Sequence, residues 1–163
     1  MPNSSPPLLA DAWAEVRTHQ HVTRYHRSGA GPTIIVLGAS GTHLWPELAS
    51  MLAARFRLIV PDLIADAPGL AERLADFLEG LGQAHVAVIT TPAFLSAVVE
   101  LARIDADQVT HVLLVCEHGR PESGHLLPTA PIRVMVLRRD LAAAEAAALA
   151  ARFLAGEEVV APG

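Results

Sequence analysis

A chain of 163 residues that is 52% hydrophobic, with four Phe, two Trp and one Tyr, predicts one domain around an aliphatic, Ala-rich core. Its formal net charge of −5 argues against nucleic acid or an anionic membrane surface as the main partner, and the single cysteine, Cys116, leaves no internal disulfide and no Cys-based metal cluster. The opening Met-Pro-Asn-Ser-Ser-Pro-Pro has neither the basic region nor the apolar run of a secretory leader, and no apolar segment nears the roughly 18 residues of a membrane span, so a soluble cytoplasmic domain is expected.

Residues 1 to about 10 are rich in Pro and Ser and are expected to be loose. Arg17 to Tyr25 reads as a polar edge strand with His19 and His21 on one face. No carboxylate or further His accompanies that pair, so solvated edge residues are expected and no metal site is. On this reading 1–21 is a loose segment plus edge strand, and 22–163 is a single domain. Gly29 to Pro32 makes a turn, and Thr33 to Leu37 is a continuous apolar strand leading into Gly38-Ala39-Ser40-Gly41-Thr42-His43. Leu44, Leu48, Met51 and Leu52 follow at helical spacing with Pro46 in the first turn, and Arg57 to Val60 is a strand closed by Pro61-Asp62.

The segment 68–82 is the clearest amphipathic helix, with Leu70, Leu74, Phe77, Leu78 and Leu81 in one stripe and Gly82 at its end. Val86 to Ile89 reads as a buried strand that passes through Thr90-Thr91-Pro92-Ala93-Phe94 into a helix over about 93–103, carried by Leu95, Val98, Val99 and Ala102. His111 to Cys116 is the next strand, and the loop Glu117 to Pro131 leads to a strand over Ile132 to Leu137. Asp140 then caps an Ala-rich helix to about Leu154, and Val159-Val160 begins a last short strand. Strands alternating with helices predict an α/β protein, a three-layer α/β/α sandwich with a mostly parallel twisted sheet.

In order and spacing, these segments resemble the α/β-hydrolase family from about residue 22 onward. Tyr25-His-Arg-Ser-Gly-Ala-Gly-Pro-Thr-Ile-Ile-Val-Leu-Gly38 is similar to the family's first core strand and oxyanion turn. Trp45-Pro-Glu-Leu48 and Phe56-Arg-Leu-Ile-Val-Pro-Asp62 resemble the next helix and strand. Phe77-Leu-Glu-Gly-Leu-Gly-Gln-Ala-His-Val-Ala-Val-Ile89 resembles the helix and strand before the nucleophile elbow, and Val109-Thr-His-Val-Leu-Leu-Val115 the strand after it. The resemblance implies a minimal, lidless hydrolase-like core in which the lid has shrunk to 117–131.

The departures from the family pattern are chemical. The elbow Gly-x-Ser-x-Gly falls on Thr90 to Phe94, which puts Pro92 at the nucleophile position and Phe94 where a small Gly stands. Leu37 replaces the His of the His-Gly oxyanion motif, while Gly38 and the backbone N–H groups of Ala39 and Ala93 remain as a cradle. Asp140 matches the catalytic acid or is simply a helix N-cap, and no His follows the last strand up to Gly163.

Other residues of the same rim are candidates to replace the triad. Ser40, His43, Glu117 and His118 are the catalytic candidates, because a His beside a hydroxyl or carboxylate can act as acid or base near neutral pH. Gly38, Ala39, Thr90, Thr91, Pro92, Ala93, His125 and Asp140 are the binding candidates, and Cys116 reads as a packing residue. The expected protein binds or transforms a small hydrophobic metabolite by non-standard acid/base chemistry, with no cofactor. The alternative is a pseudoenzyme serving as a binding or scaffold protein. A second alternative starts from Val36-Leu-Gly-Ala-Ser-Gly41, which is similar to the dinucleotide turn of short-chain dehydrogenases and implies NAD(P) with Asp62 on the ribose, although the third glycine position is Leu44. A sheet edge without a closing helix predicts a homodimer.

Overall fold

Continuous runs of Val, Ile and Leu, apolar on both faces, can only be satisfied inside a sheet covered on both sides. The structure, a computed structural model, describes residues 13–38, 46–116, 132–138 and 140–157. Within these the chain folds as β1 (Trp13–Arg17), β2 (Val22–Ser28), β3 (Thr33–Leu37), α1 (Pro46–Ala53), β4 (Arg57–Pro61), α2 (Leu70–Gly80), β5 (Val86–Thr90), α3 (Pro92–Ile104), β6 (Val109–Cys116), β7 (Arg133–Arg138) and α4 (Ala143–Leu154). The strands make one sheet in the order β1-β2-β4-β3-β5-β6-β7. β1 pairs antiparallel with β2 and β2 antiparallel with β4, while β4, β3, β5, β6 and β7 run parallel.

The two-residue period of the strands divides the core in two. Ile34, Val36, Ile89, Leu113 and Val115 face α1 and α4, packing with Leu48, Leu52, Ala150 and Phe153. Ile35, Leu37, Val88 and Val112 face α2 and α3, packing with Leu74, Phe77, Phe94 and Val98. The expected three-layer sandwich is therefore what forms. The α2 stripe buries Leu70, Leu74, Phe77 and Leu78. The helix stops where Gly82 takes φ 66: the Gly82 N–H donates to Glu79 O at 2.9 Å and the Gln83 N–H to Leu78 O at 3.0 Å. Those two bonds satisfy carbonyls that the helix end would otherwise orphan.

Three expectations are corrected. Arg17 to Tyr25 is not one strand but straddles the β1–β2 hairpin, so His19 and His21 sit in its turn rather than on a strand face. The Thr18 N–H donates to His21 O at 2.9 Å, and the Thr18 hydroxyl reaches the Asp76 carboxylate on α2. His21 Nδ1 lies 3.1 Å from the same carboxylate. A Thr side chain offering local hydrogen bonds thus folds the strand back on itself. Secondly, Trp13–Arg17, where no strand was expected before Arg17, forms β1 of the sheet, with Val16 buried against α2. Thirdly, Asp140 does not cap α4. Ala142 is the N-cap with no side-chain bond, while the Asp140 carboxylate accepts from Arg138 Nε at 3.1 Å. A guanidinium two residues earlier is the stronger partner, being charged. Met51 also departs from its stripe and is exposed.

Residues 1–10, 39–45 and 117–131 and Val159-Val160, expected to be a loose segment, a turn, a lid remnant and the start of a short strand, lie outside the described residues. Among the described residues no helix is long and apolar enough to cross a membrane.

Candidate functional site

Adjacent parallel strands β3 and β5 end together, with Leu37 paired to Thr90, and the Thr91 N–H donates to Leu37 O at 3.2 Å. Chain continuity then sends β5 straight into α3. Thr91 is the N-cap residue, extended at φ −92 and ψ 164, and Pro92 starts the helix. Proline suits that position because its fixed φ is helical and its missing N–H would have had no helical partner. The Phe94 N–H closes the first turn on Thr91 O at 3.1 Å.

Four of the binding candidates meet at this turn, but not equivalently. Pro92 and Ala93 are exposed at the apex. Thr90 is 0% exposed, wedged between Leu37 of β3 and Leu114 of β6, with its hydroxyl donating to Thr91 O at 3.0 Å. It therefore lies beneath the rim and does not face it, contrary to expectation. Thr91 is half-buried, makes no capping bond through its side chain, and has a buried Oγ1 without a partner. Gly38 follows β3 beside it and is half-buried. Asp140 lies beyond β7, separated from β5 by β6, is exposed, and pairs with Arg138. Ala39, Ser40, His43, Glu117, His118 and His125 lie outside the described residues.

The turn is chemically quiet. A hydrolase nucleophile sits on a sharp, strained strand-to-helix turn, yet among the described non-glycine residues only Asp66 and His85 have positive φ. Pro92 offers no hydroxyl, thiol or N–H. Phe94, 1% exposed, fills the position of the small glycine. Cys116, at the end of β6, is buried, and burial pushes its thiol up, away from the reactive thiolate. Among the described residues no three His, Cys, Asp or Glu side chains gather as a metal site. The helix N-terminus can hold a polar atom of a ligand, but nothing at the apex can attack one.

A feature that sequence reasoning missed lies at the amino ends of the same strands, where a cavity of about 340 Å3 is lined by His85, Thr110 and His111 among others. His111 sits in a β-branched apolar run that reads as plain strand, so its only signal was a polar ring where burial was expected.

No family model matches the sequence, and no curated protein does. Solved structures do match. The carboxylesterase CesB from Bacillus subtilis is 19% identical with a TM-score of 0.55, over 66% of this chain and 44% of its own. The naproxen esterase of the same organism is 17% identical with a TM-score of 0.56, over 64% and 42%. The epoxide hydrolase CorEH is 20% identical with a TM-score of 0.55, over 72% and 47%. This chain spans less than half the length of these solved structures. With the sheet order and the helices on both faces, they define the class: the chain has an α/β-hydrolase-like fold.

Proposed function

We propose that this hydrolase-fold chain does not perform acyl transfer at its strand-to-helix turn and instead holds a small, mostly apolar metabolite at the carboxyl-end rim. Pro92, in ordinary helical geometry at the nucleophile position, is the observation that carries this. Covalent catalysis needs an activated Ser, Cys or Asp at the apex, and fold alone does not confer activity. Gly38 and the Ala93 N–H supply the polar contacts, and any turnover is acid/base chemistry from the rim candidates Ser40, His43, Glu117 and His118 rather than formation of an acyl-enzyme.

Hydrolysis of short-chain p-nitrophenyl esters tests it. Wild type and Ser40→Ala should both run at the buffer rate, while a library of small apolar metabolites should yield saturable binders that shift the amide resonances of Gly38, Thr91 and Ala93. Ester turnover well above buffer that Ser40→Ala abolishes would overturn the proposal, since the rim would then carry a hydrolytic nucleophile.

A further inference from the structure

β1 is an outer strand of the sheet, and hydrogen bonds inside the sheet fix which of its backbone groups face outward. The Thr18 N–H donates to His21 O at 2.9 Å, so Thr18 turns its backbone groups toward β2. Across β2, the Asp62 N–H donates to Arg24 O at 2.8 Å, which turns Arg24 toward β4 and its neighbours Thr23 and Tyr25 toward β1. Thr23 stands opposite Val16 and Tyr25 opposite Ala14, so both bonds give the same phase. Backbone groups alternate sides along a strand, and therefore Ala14, Val16 and Thr18 point inward while Trp13, Glu15 and Arg17 point outward. Among the described residues no strand pairs with that outer side.

An open edge of this kind is a template for another strand. Two copies meeting there about a two-fold axis pair antiparallel, and the two-residue period allows only registers centred on a residue. Opposite charges directly across such a pair stabilise it and like charges destabilise it. Centred on Glu15 or on Arg17, the pairing sets a charge against its own copy. Centred on Ala14, it leaves Arg17 beyond the other strand. Centred on Val16, it sets Glu15 opposite Arg17 of the second copy, and by symmetry Arg17 opposite its Glu15. Within one chain Glu15 and Arg17 already lie 3.2 Å apart, so the four charges join in one alternating network. β7, the other edge of the sheet, has Arg133 and Arg138 as its only charged residues and offers no such match.

We propose that this chain pairs with a second copy of itself through β1, antiparallel and in the register that places Val16 opposite Val16, which joins two seven-stranded sheets into one. Glu15 and Arg17 of opposing strands then exchange two N–H to carbonyl bonds, and symmetry supplies two more. Val16 meets its copy at the close, non-hydrogen-bonded position between them. Strands of five residues bury too little for the roughly 1,200 Å2 of a standard stable interface, so the dimer exchanges with monomer as concentration changes. The interface is independent of what the carboxyl-end rim binds.

Sedimentation equilibrium of the wild-type protein from micromolar to near-millimolar concentration tests it. The mass should climb from that of one chain toward that of two and stop there. Arg17→Glu and Glu15→Arg should each weaken association at least about tenfold, because both ion pairs become like-charge pairs. Reversing both charges together should return it to within about threefold of wild type, since the pairs are restored with their signs exchanged. Both side chains are exposed, so melting curves of all three variants should match wild type. Amide shifts of the wild-type protein with rising concentration should centre on 13–18, which locates the edge without any variant. A monomer at near-millimolar concentration, assembly past the dimer, shifts centred on 133–138, or a double variant no tighter than either single one would each overturn the proposal.

Discussion

Truncating Phe94 measures how firmly the strand-to-helix turn is committed to packing. Its ring is 1% exposed, in the core shared by α2, α3 and the sheet, with Leu37, Val88 and Leu101 in the same cluster. Replacing a buried Phe by Ala removes the transfer free energy of the ring and leaves a cavity, together about 3–5 kcal/mol. Rigid strands and a proline-started helix frame this site, so little collapse is available and the upper part of that range, about 4–5 kcal/mol, is expected. The better helix propensity of Ala returns only about 0.5 kcal/mol. For a chain of this size each kcal/mol shifts Tm by about 2–4 °C, so Phe94→Ala should melt roughly 8–20 °C lower. Urea unfolding followed by far-ultraviolet circular dichroism gives the free energy directly, with an unchanged slope showing that the unfolded state is comparable. A loss below about 2 kcal/mol at unchanged slope would refute the argument. The small residue of an active elbow would then be accessible at little cost, and the quiet turn would reflect Pro92 alone.

Three further outcomes follow from the same structure. Gly80→Leu should destabilise by about 1–3 kcal/mol in urea although it removes a helix glycine, because a Cβ there would lie 2.4 Å from Val16 Cγ1 and 2.9 Å from Thr18 Cγ2. An unchanged or higher midpoint would mean that β1 yields freely. Thr91→Val should leave stability unchanged or raise it by up to about 1 kcal/mol, since a buried hydroxyl without a partner is exchanged for a methyl; a loss beyond about 1 kcal/mol would reveal a partner. Asp76 is held below its ordinary value of 3.8 chiefly by the Thr18 hydroxyl, against partial desolvation, with the hydrogen bond and charge of His21 adding to it. A carboxylate depressed in the folded state stabilises above its unfolded value and loses that contribution as pH falls through the folded one. The stability gap between wild type and Asp76→Asn should therefore be constant at neutral pH and close below pH 3.8, and a gap unchanged at about pH 2 would contradict it.

The parts of the fold legible in sequence are those whose signal is local. Thr33–Leu37 and Val86–Thr90 are unbroken apolar runs, which is what a strand covered on both faces requires, and Gly82 marks the end of α2 by the one conformation that glycine adopts freely. The β1–β2 hairpin was hidden because Thr18 to His21 contains no Gly, Pro or Asn, and its turn is held by Asp76 far along the chain. Asp140 looked like a cap because capping chemistry and ion pairing use the same carboxylate, and only the structure shows Arg138 in possession of it. Pro92 could be placed at the apex by order and spacing. That Thr90 is sealed while Thr91 is orphaned depends on strands β3 and β6 flanking β5, which no local pattern records.

Backbone irregularity differs between the two ends of β5. At the turn after β5 the backbone obeys every local preference: an extended N-cap, proline at the first helical position, and a closing N–H to carbonyl bond. At the amino end three preferences are overridden within a few residues, by left-handed His85, by the extra residue Thr110 and by the unpaired Nε2 of His111. A non-glycine residue held in the left-handed region costs about 1–3 kcal/mol and persists only where its surroundings enforce it. Sequences that fold well break such rules where something other than folding is being served. An active hydrolase would concentrate that strain at its elbow, whereas here the turn after β5 carries none and left-handed His85 lies just ahead of the same strand. The rigid parallel sheet that orients an elbow in hydrolases can equally hold His85 and His111 in place, since both are anchored on β5 and β6 or immediately beside them.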